Sequence, residues 1–174
     1  MAATHTFLGQ TKLAGTAATM TLSGISGDYQ DLEIVVLAKH DSNVAAYGRV
    51  SFNGDSGTSH YGRCNLYLPN GTTAAGTVSE TGEGYIDVSY GTGPSSGFGA
   101  VGWCRMYIPA YSASEPHPID LKHCSWDTTT AGENAWQSCM YQPGTPAAIT
   151  SVTWTASAVM EIGCSITAYG IKYE

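Results

Sequence analysis

Charged side chains are scarce in this sequence. Aspartate, glutamate, lysine and arginine make up 12% of the 174 residues, about half the share of roughly 25% found in average soluble domains. The formal net charge is −7, and the seven basic residues are scattered: Lys12, Lys39, Arg49, Arg63, Arg105, Lys122 and Lys172. Because backbone-driven nucleic-acid binding and adhesion to anionic membranes need clustered cations, we predict neither nucleic acid nor membrane as a partner.

Long apolar runs are also missing. The longest, Ile34–Ala38, is far shorter than the roughly 20 residues of a membrane-spanning helix. Met1–Gly9 has no charged stretch followed by an apolar one, so we predict no signal peptide.

The cysteine pattern is not that of a disulfide framework. The number is odd, the spacings are wide, and no Cys-x-x-Cys pair occurs among Cys64, Cys104, Cys124, Cys139 and Cys164. This pattern favours synthesis in a reducing cytosol. Cys64 and Cys104 each alternate with apolar neighbours, so we predict that both face a core as small hydrophobic residues. Metal binding is the alternative for the cysteines.

The most frequent pattern in the sequence is an alternation of apolar and hydroxyl-bearing residues. The 21 glycines and many threonines and serines separate short runs with the two-residue period of β-strands. Strands are predicted at Thr4–Lys12, Ala17–Leu22, Leu32–Lys39, Tyr47–Asn53, Tyr61–Leu68, Tyr85–Tyr90, Phe98–Ile108, Ile119–Trp126, Ala135–Tyr141, Ile149–Thr155 and Cys164–Tyr173. No segment has a convincing helical period. The sequence therefore predicts one all-β domain over residues 1–174, an antiparallel β-sandwich of jelly-roll type with about ten strands.

Four segments give more specific predictions. Leu32–Lys39 is apolar on both faces, which indicates a central strand covered on both sides. Asn53–Asp55 separates two strand patterns, and its residue types favour a tight turn that joins them as a hairpin. Calcium binding is the alternative there, but a calcium loop needs more oxygen ligands than this turn offers. Gly71–Gly82 and Gly91–Gly97 are predicted to be exposed loops.

No catalytic constellation is recognisable. The histidines stand in no metal-binding or nucleophile motif: His5, His40, His60, His117 and His123. His123 and Cys124 point to opposite faces of a strand, although a cysteine–histidine pair from distant segments stays open. Glu80, Glu83 and Asp87 are close in sequence, but a solvated surface explains them better than a glycosidase pair. We predict no enzyme, no catalytic residue, no metal and no cofactor.

The aromatic residues are the best candidates for binding. We expect six of them to face outward and form an interface: Trp103, Tyr107, Tyr111, Trp126, Trp136 and Tyr67. Aromatic side chains bury large areas at low entropic cost. On a surface this poor in charge we favour contact between subunits over stacking on glycans.

Four segments together carry a resemblance that covers almost the whole chain. They are Ile25–Ile34, Val50–Gly57, Met106–Tyr111 and Ala168–Lys172. Their order and spacing resemble those of small β-sandwich virion proteins of tailed bacteriophages, which serve as capsid decoration, head-fibre or tail-associated components. The cysteines and the Pro116–Pro118 turn are not part of this pattern.

The resemblance implies a structural protein and no enzyme. The expected function is a capsid decoration, or cement, protein on the outer surface of the virion, made in the cytoplasm of the bacterial host. Its expected partners are the major capsid protein and copies of itself in a homotrimer. The alternative is a tail-associated fibre or receptor-binding domain that recognises host glycans. A secreted carbohydrate-active enzyme is disfavoured, since neither a signal peptide nor an acid pair is found.

Overall fold

A computed structural model describes residues 3–40, 46–69, 76–91, 102–126 and 132–174. Twelve β-strands, and no helix, lie within these ranges. They are β1 (Ala3–Lys12), β2 (Ala17–Ser23), β3 (Asp31–Ala38), β4 (Ala46–Phe52), β5 (Tyr61–Pro69), β6 (Gly76–Glu83), β7 (Ile86–Gly91), β8 (Gly102–Pro109), β9 (His117–Trp126), β10 (Gly132–Tyr141), β11 (Ser151–Met160) and β12 (Ser165–Tyr173). The all-β prediction is confirmed. In this described part of the chain, no helix is long and apolar enough to cross a membrane.

The strands form two antiparallel sheets that face each other. The large sheet has the order β1-β12-β3-β8-β9-β10-β5-β6, and the small sheet has the order β2-β11-β4-β7. In the small sheet, β2 packs over β1 and β12, while β7 packs over β5, β8, β9 and β10. The result is a sandwich-like arrangement, as the alternating sequence pattern predicts.

The core lies between the two sheets and takes every second side chain of the central strands. Ile34 and Met106 of the large sheet meet Phe52 and Val152 of the small sheet there, and all four are fully buried. Each such side chain contributes about 1.5–3 kcal/mol by leaving water. In each central strand, the face that carries the apolar residues is therefore the face that points into the core.

Strand β3 occupies the predicted central position, between β12 and β8. Its inner-face residues, such as Ile34 and Val36, are buried, but on the opposite face Val35 is half-buried and Leu37 is exposed. The prediction that both sides are covered is therefore wrong at the Leu37 end, because the small sheet covers only one face.

The turn at Asn53 is confirmed, but the hairpin is not. Asn53 and Gly54 both have positive φ, at 55° and 67°, and the amide of Asp55 donates to the carbonyl of Phe52 at 2.8 Å. However, β4 pairs with β11 and β7 in the small sheet, whereas β5 pairs with β10 and β6 in the large one. The segment between them is a crossover, because Phe52 and Tyr61 enter the same core from opposite sheets.

The predicted loop Gly71–Gly82 is wrong for most of its length, at the far end of the large sheet. Gly76–Glu83 is strand β6, not part of an exposed loop, and its alternating threonine and serine residues pair with β5. Hydroxyl-rich segments take up strand structure when a neighbour offers a hydrogen-bond ladder. Residues 70–75 lie outside the described residues, as do 92–101, which hold most of the predicted loop Gly91–Gly97 and the start of the strand predicted at Phe98–Ile108.

The orientation of β5 is opposite to the one predicted from its apolar residues. Tyr61 is buried in the core, which turns Arg63 inward and leaves Cys64 exposed. The interior at this end is polar, since Arg63 donates to the backbone carbonyl and the carboxylate of Asp87 in β7 at 2.8 and 3.4 Å. The predicted inward position is wrong for Cys64 and confirmed for Cys104, which is buried.

Candidate functional site

The face of the large sheet that points away from the small sheet, called the outer face below, collects exposed apolar side chains. Leu37 of β3, Trp103 of β8 and Asp120 of β9 lie on this face. The residues that pair with them in the neighbouring strands lie on it as well. Six of the eight exposed large apolar side chains among the described residues lie there: Phe7, Leu37, Trp103, Trp136, Met140 and Tyr173. Such clustering on one face is typical of interaction surfaces.

Val35, Leu37 and Trp103 form a continuous apolar patch at one end of this face. Leu37 and Trp103 are direct cross-strand neighbours in β3 and β8, and they are 43% and 40% exposed. Val35 is half-buried two residues along β3. On the edge strand β1, Phe7 packs edge-on against Tyr169 of β12 with ring centroids 6.1 Å apart. The patch has the composition of the apolar centre of a protein interface.

The charges beside the patch already have partners on the same face. Arg105 donates to the carboxylate of Glu33 at 2.5 Å, and the imidazole of His5 lies 3.7 Å from that carboxylate. Because these charges are paired within the protein, a partner that covers the patch does not have to supply counter-charges for them.

Asp31, another carboxylate on the outer face, also has its partners within the protein and accepts three hydrogen bonds. The donors are the hydroxyls of Tyr107 at 2.5 Å and Tyr173 at 2.7 Å, and the amide of Ala110 at 3.0 Å. Burial acts to raise the pKa of Asp31, but these hydrogen bonds outweigh it and hold the pKa below its usual value. Burial and the bond to Asp31 raise the pKa of Tyr107. The cluster ties the last strand of the chain to β3 and β8.

A groove of about 710 Å³ lies in the other half of the outer face. Its floor follows the register from Asp120 through Ser138 to Cys64, across β9, β10 and β5. Trp136 and Met140 stand two residues to either side of Ser138 and form the walls. The groove exists because Asp120, Ser138 and Cys64 are shorter than Trp136 and Met140, which stand on either side of Ser138 in β10.

Trp136 is held in place beside this groove. Its indole nitrogen donates a hydrogen bond to Asp120, and the ammonium of Lys122 lies 4.6 Å from the centre of its ring. The side chain is nevertheless 53% exposed. An oriented, half-exposed indole next to a carboxylate is a preformed surface for stacking and hydrogen bonding.

The structure separates the six predicted interface residues. Trp103 and Trp136 are exposed on the outer face, and Tyr107 is half-buried there. The expected outward position is wrong for Tyr111, which is fully buried and donates its hydroxyl proton to the carbonyl of Ser26. The side chains of Tyr67 and Trp126 lie outside the described residues.

A buried histidine and cysteine do approach a common partner inside the sandwich. Gln137 lies between them, with its amide nitrogen 3.3 Å from Nε2 of His123 and its oxygen 3.7 Å from Sγ of Cys139. Burial raises the pKa of Cys139 to about 12 and lowers the pKa of His123 to about 4. Both groups are therefore neutral near pH 7, whereas a nucleophilic cysteine needs its thiolate form.

Asn53 and Asp55 direct their side chains at the protein itself. Asp55 accepts from the amide of Gly57 at 2.8 Å, and Nδ1 of His60 lies 2.8 Å from its carboxylate. Burial acts to raise the pKa of Asp55, but these contacts and the hydroxyl of Tyr141 lower it overall. Among the described residues, no group of three or more histidine, cysteine, aspartate or glutamate side chains could hold a metal ion.

Sequence reasoning missed the groove and the patch as units. Trp136 and Trp103 were predicted as interface residues because aromatic residues are common in interfaces. Leu37, Met140 and Ser138 have no residue type or local motif that would predict binding. Only the register between strands brings them together, and that register is fixed by which face of each strand is buried, not by these three residues.

Comparisons with known proteins add no functional name. No protein-family model matches the chain, and no curated protein matches it. Among solved structures it is similar to the structure of infectious bursal disease virus Gt strain, with 15% sequence identity and a TM-score of 0.13. That alignment covers 98% of this chain and 38% of the viral chain. A TM-score this low carries no argument about fold or function.

Proposed function

We propose that this protein is a virion structural protein of a tailed bacteriophage, and specifically a capsid decoration protein on the outside of the shell. The observation that carries the proposal is the outer face, where exposed apolar side chains cluster, the charges of Glu33 and Arg105 are paired with each other, and Asp31 is hydrogen-bonded within the protein. A surface of this kind favours lasting adhesion to another protein. The four-segment resemblance supplies the class of partner, the major capsid protein.

The strand order supports the proposed jelly-roll type of sandwich. In one sheet the order begins β1-β12-β3-β8, and in the other it is β2-β11-β4-β7. Two Greek keys wrapped around each other place the first and last strands side by side in this manner, and many viral capsid domains are built so. Strands β9, β10, β5 and β6 then extend the first sheet beyond this eight-strand unit.

The apolar patch provides the proposed contact with the shell. Leu37 and Trp103 would leave water on binding, and full burial of such side chains contributes about 1.5–3 kcal/mol each. A stable contact buries about 1,200–2,000 Å² in total, so surrounding residues must contribute as well. By bridging capsid subunits in the assembled shell only, the protein would stabilise that state by mass action.

The proposed assembly is a homotrimer. Few charged side chains are available in this chain to prevent the sheet edges from pairing with other strands. Association of copies would cover those edges. Three copies held together would also present three apolar patches to neighbouring capsid subunits, which raises the overall strength of binding through multivalency.

Purified particles test the proposal. Gel densitometry against the major capsid protein should give hundreds of copies per particle, and particles that lack this protein should lose DNA at lower temperature. Leu37→Lys should reduce occupancy on the shell. The matched control Val159→Lys changes an equally exposed residue of the small sheet and should leave occupancy unchanged. A few dozen copies per particle, or equal heat tolerance with and without the protein, would contradict a cementing role.

A further inference from the structure

We propose that the groove between Trp136 and Met140 is a binding site for neutral saccharides. This inference goes beyond the proposed function, since adhesion through the apolar patch at Leu37 neither requires nor supplies a sugar site. The groove lies on strands β5, β9 and β10, in the half of the outer face away from that patch.

The dimensions suit a sugar ring. The groove measures about 710 Å³, within the roughly 300–1,000 Å³ of small-ligand sites. Trp136 and Met140 each lie two residues from Ser138 along β10, and strands rise about 3.3 Å per residue, so the Cα atoms of the two wall residues stand about 13 Å apart. This spacing leaves space above Ser138 for a single pyranose ring.

The lining chemistry matches the two kinds of surface that a sugar presents. The half-exposed indole of Trp136 offers a flat apolar surface to the C–H face of a ring, and its bond to Asp120 fixes its orientation. The carboxylate of Asp120 and the hydroxyl of Ser138 lie on the floor, where they can accept and donate hydrogen bonds to sugar hydroxyls.

Other ligand classes fit less well. The groove runs across the strands and not along a sheet edge, so an extended peptide would find no backbone ladder to join. Asp120 on the floor disfavours anionic ligands, and the guanidinium of Arg63 points inward, away from the groove, where it binds Asp87. These features select uncharged hexose chains over phosphorylated or acidic ones.

Titration with a panel of soluble neutral hexa-oligosaccharides, of the malto-, cello-, chito- and manno- series, tests the proposal. Isothermal calorimetry measures affinity, and a change in tryptophan fluorescence that is lost in the Trp136 variant reports on contact with that ring. We expect at least one neutral series to bind, and Trp136→Ala to weaken that binding by about tenfold or more. Ser138→Leu, which fills the floor, should abolish it.

Trp103→Ala is the matched control. It removes the same type of side chain from the same face, with similar exposure, in the other half of the sheet, and it should leave sugar affinity unchanged. Urea unfolding of each variant verifies that it is folded. No binding of any neutral series at millimolar concentration would overturn the proposal, as would equal binding by the wild type and Trp136→Ala.

The experiments distinguish failure of the saccharide site from failure of the decoration role. Loss of sugar binding with normal occupancy and heat tolerance of particles would leave the decoration role intact. Sugar binding that depends on Trp136, in a protein present at a few dozen copies per particle, would instead support the saccharide site and contradict the decoration role.

Discussion

The indole ring of Trp154 lies directly against the backbone of Gly48, where a Cβ atom would stand 1.9 Å from the ring. Gly48 belongs to β4 and Trp154 to the neighbouring strand β11, and the ring is buried between the sheets. Glycine is therefore required at position 48 by close packing, since a larger residue would have to displace a core side chain.

Gly48→Ala should destabilise the protein by about 1–3 kcal/mol, the usual cost of overpacking a core. Urea denaturation at neutral pH measures the change. Gly15→Ala is the control, because a Cβ atom at Gly15 would have no heavy atom within 4 Å, and its effect should stay within about 0.5 kcal/mol. Equal effects of the two substitutions would show that the ring of Trp154 can move aside freely.

Asn53→Ala should cost about 2–4 kcal/mol of unfolding free energy. Its side-chain oxygen accepts from the amides of Thr150 and Ser151 at 2.8 and 3.2 Å, its amide donates to the carbonyl of Ala148 at 2.8 Å, and its φ is 55°. Asn53→Gly loses the same hydrogen bonds but tolerates this φ, so it should be about 1 kcal/mol less destabilising than alanine. Thermal unfolding of the three proteins checks this order, and alanine no worse than glycine would contradict it.

Stability should fall as the pH is lowered from 6.5 to 4. The pKa of His123 is about 4 in the folded protein and 6.5 in the unfolded chain, so the unfolded state binds the proton first over this range. The full effect is on the order of 3 kcal/mol. Asp31 and Asp55, whose pKa values lie below 3.8, lose their contribution only at lower pH.

Urea midpoints measured at intervals between pH 7 and 4 test this expectation. His123→Gln should flatten the slope, whereas His5→Gln, at an exposed position on β1, should leave it in place. A slope that persists unchanged in His123→Gln would show that another group carries the dependence.

One cysteine should react much faster than the buried ones. Cys64 is exposed in the groove, while Cys104, Cys139 and Cys164 are buried and burial raises the pKa of each of these three thiols. In the native protein an aromatic disulfide reagent should therefore modify Cys64 first. Cys64→Ser should remove the fastest phase and Cys104→Ser should keep it; a fast phase that survives Cys64→Ser would place the exposed thiol elsewhere.

Local chemistry was sufficient for some features of the site and the fold. The apolar run Leu32–Lys39 predicted the central strand β3, and the residue types of Asn53–Asp55 predicted the tight turn that the structure shows. These features depend on the backbone preferences and burial of neighbouring residues, which the sequence records directly.

The positions of Cys64 and Tyr111 could not be obtained in this way. Apolar neighbours suggested that Cys64 faces the core, but the polar pair of Arg63 and Asp87 occupies the interior at that end. Tyr111 was assigned to the surface, yet it closes the core with its hydroxyl bound to Ser26. Each outcome depends on a partner distant in sequence.

The sequence by itself determined that this chain forms strands, where most of them begin and end, and that the chain reverses at Asn53. Only the tertiary structure decided that β4 and β5 belong to different sheets and that Trp136, Asp120 and Ser138 surround one groove. The physical reason is that backbone hydrogen bonds between strands are chemically alike. Pairing and register are therefore selected by the packing of the whole core, not by the residues of any one strand.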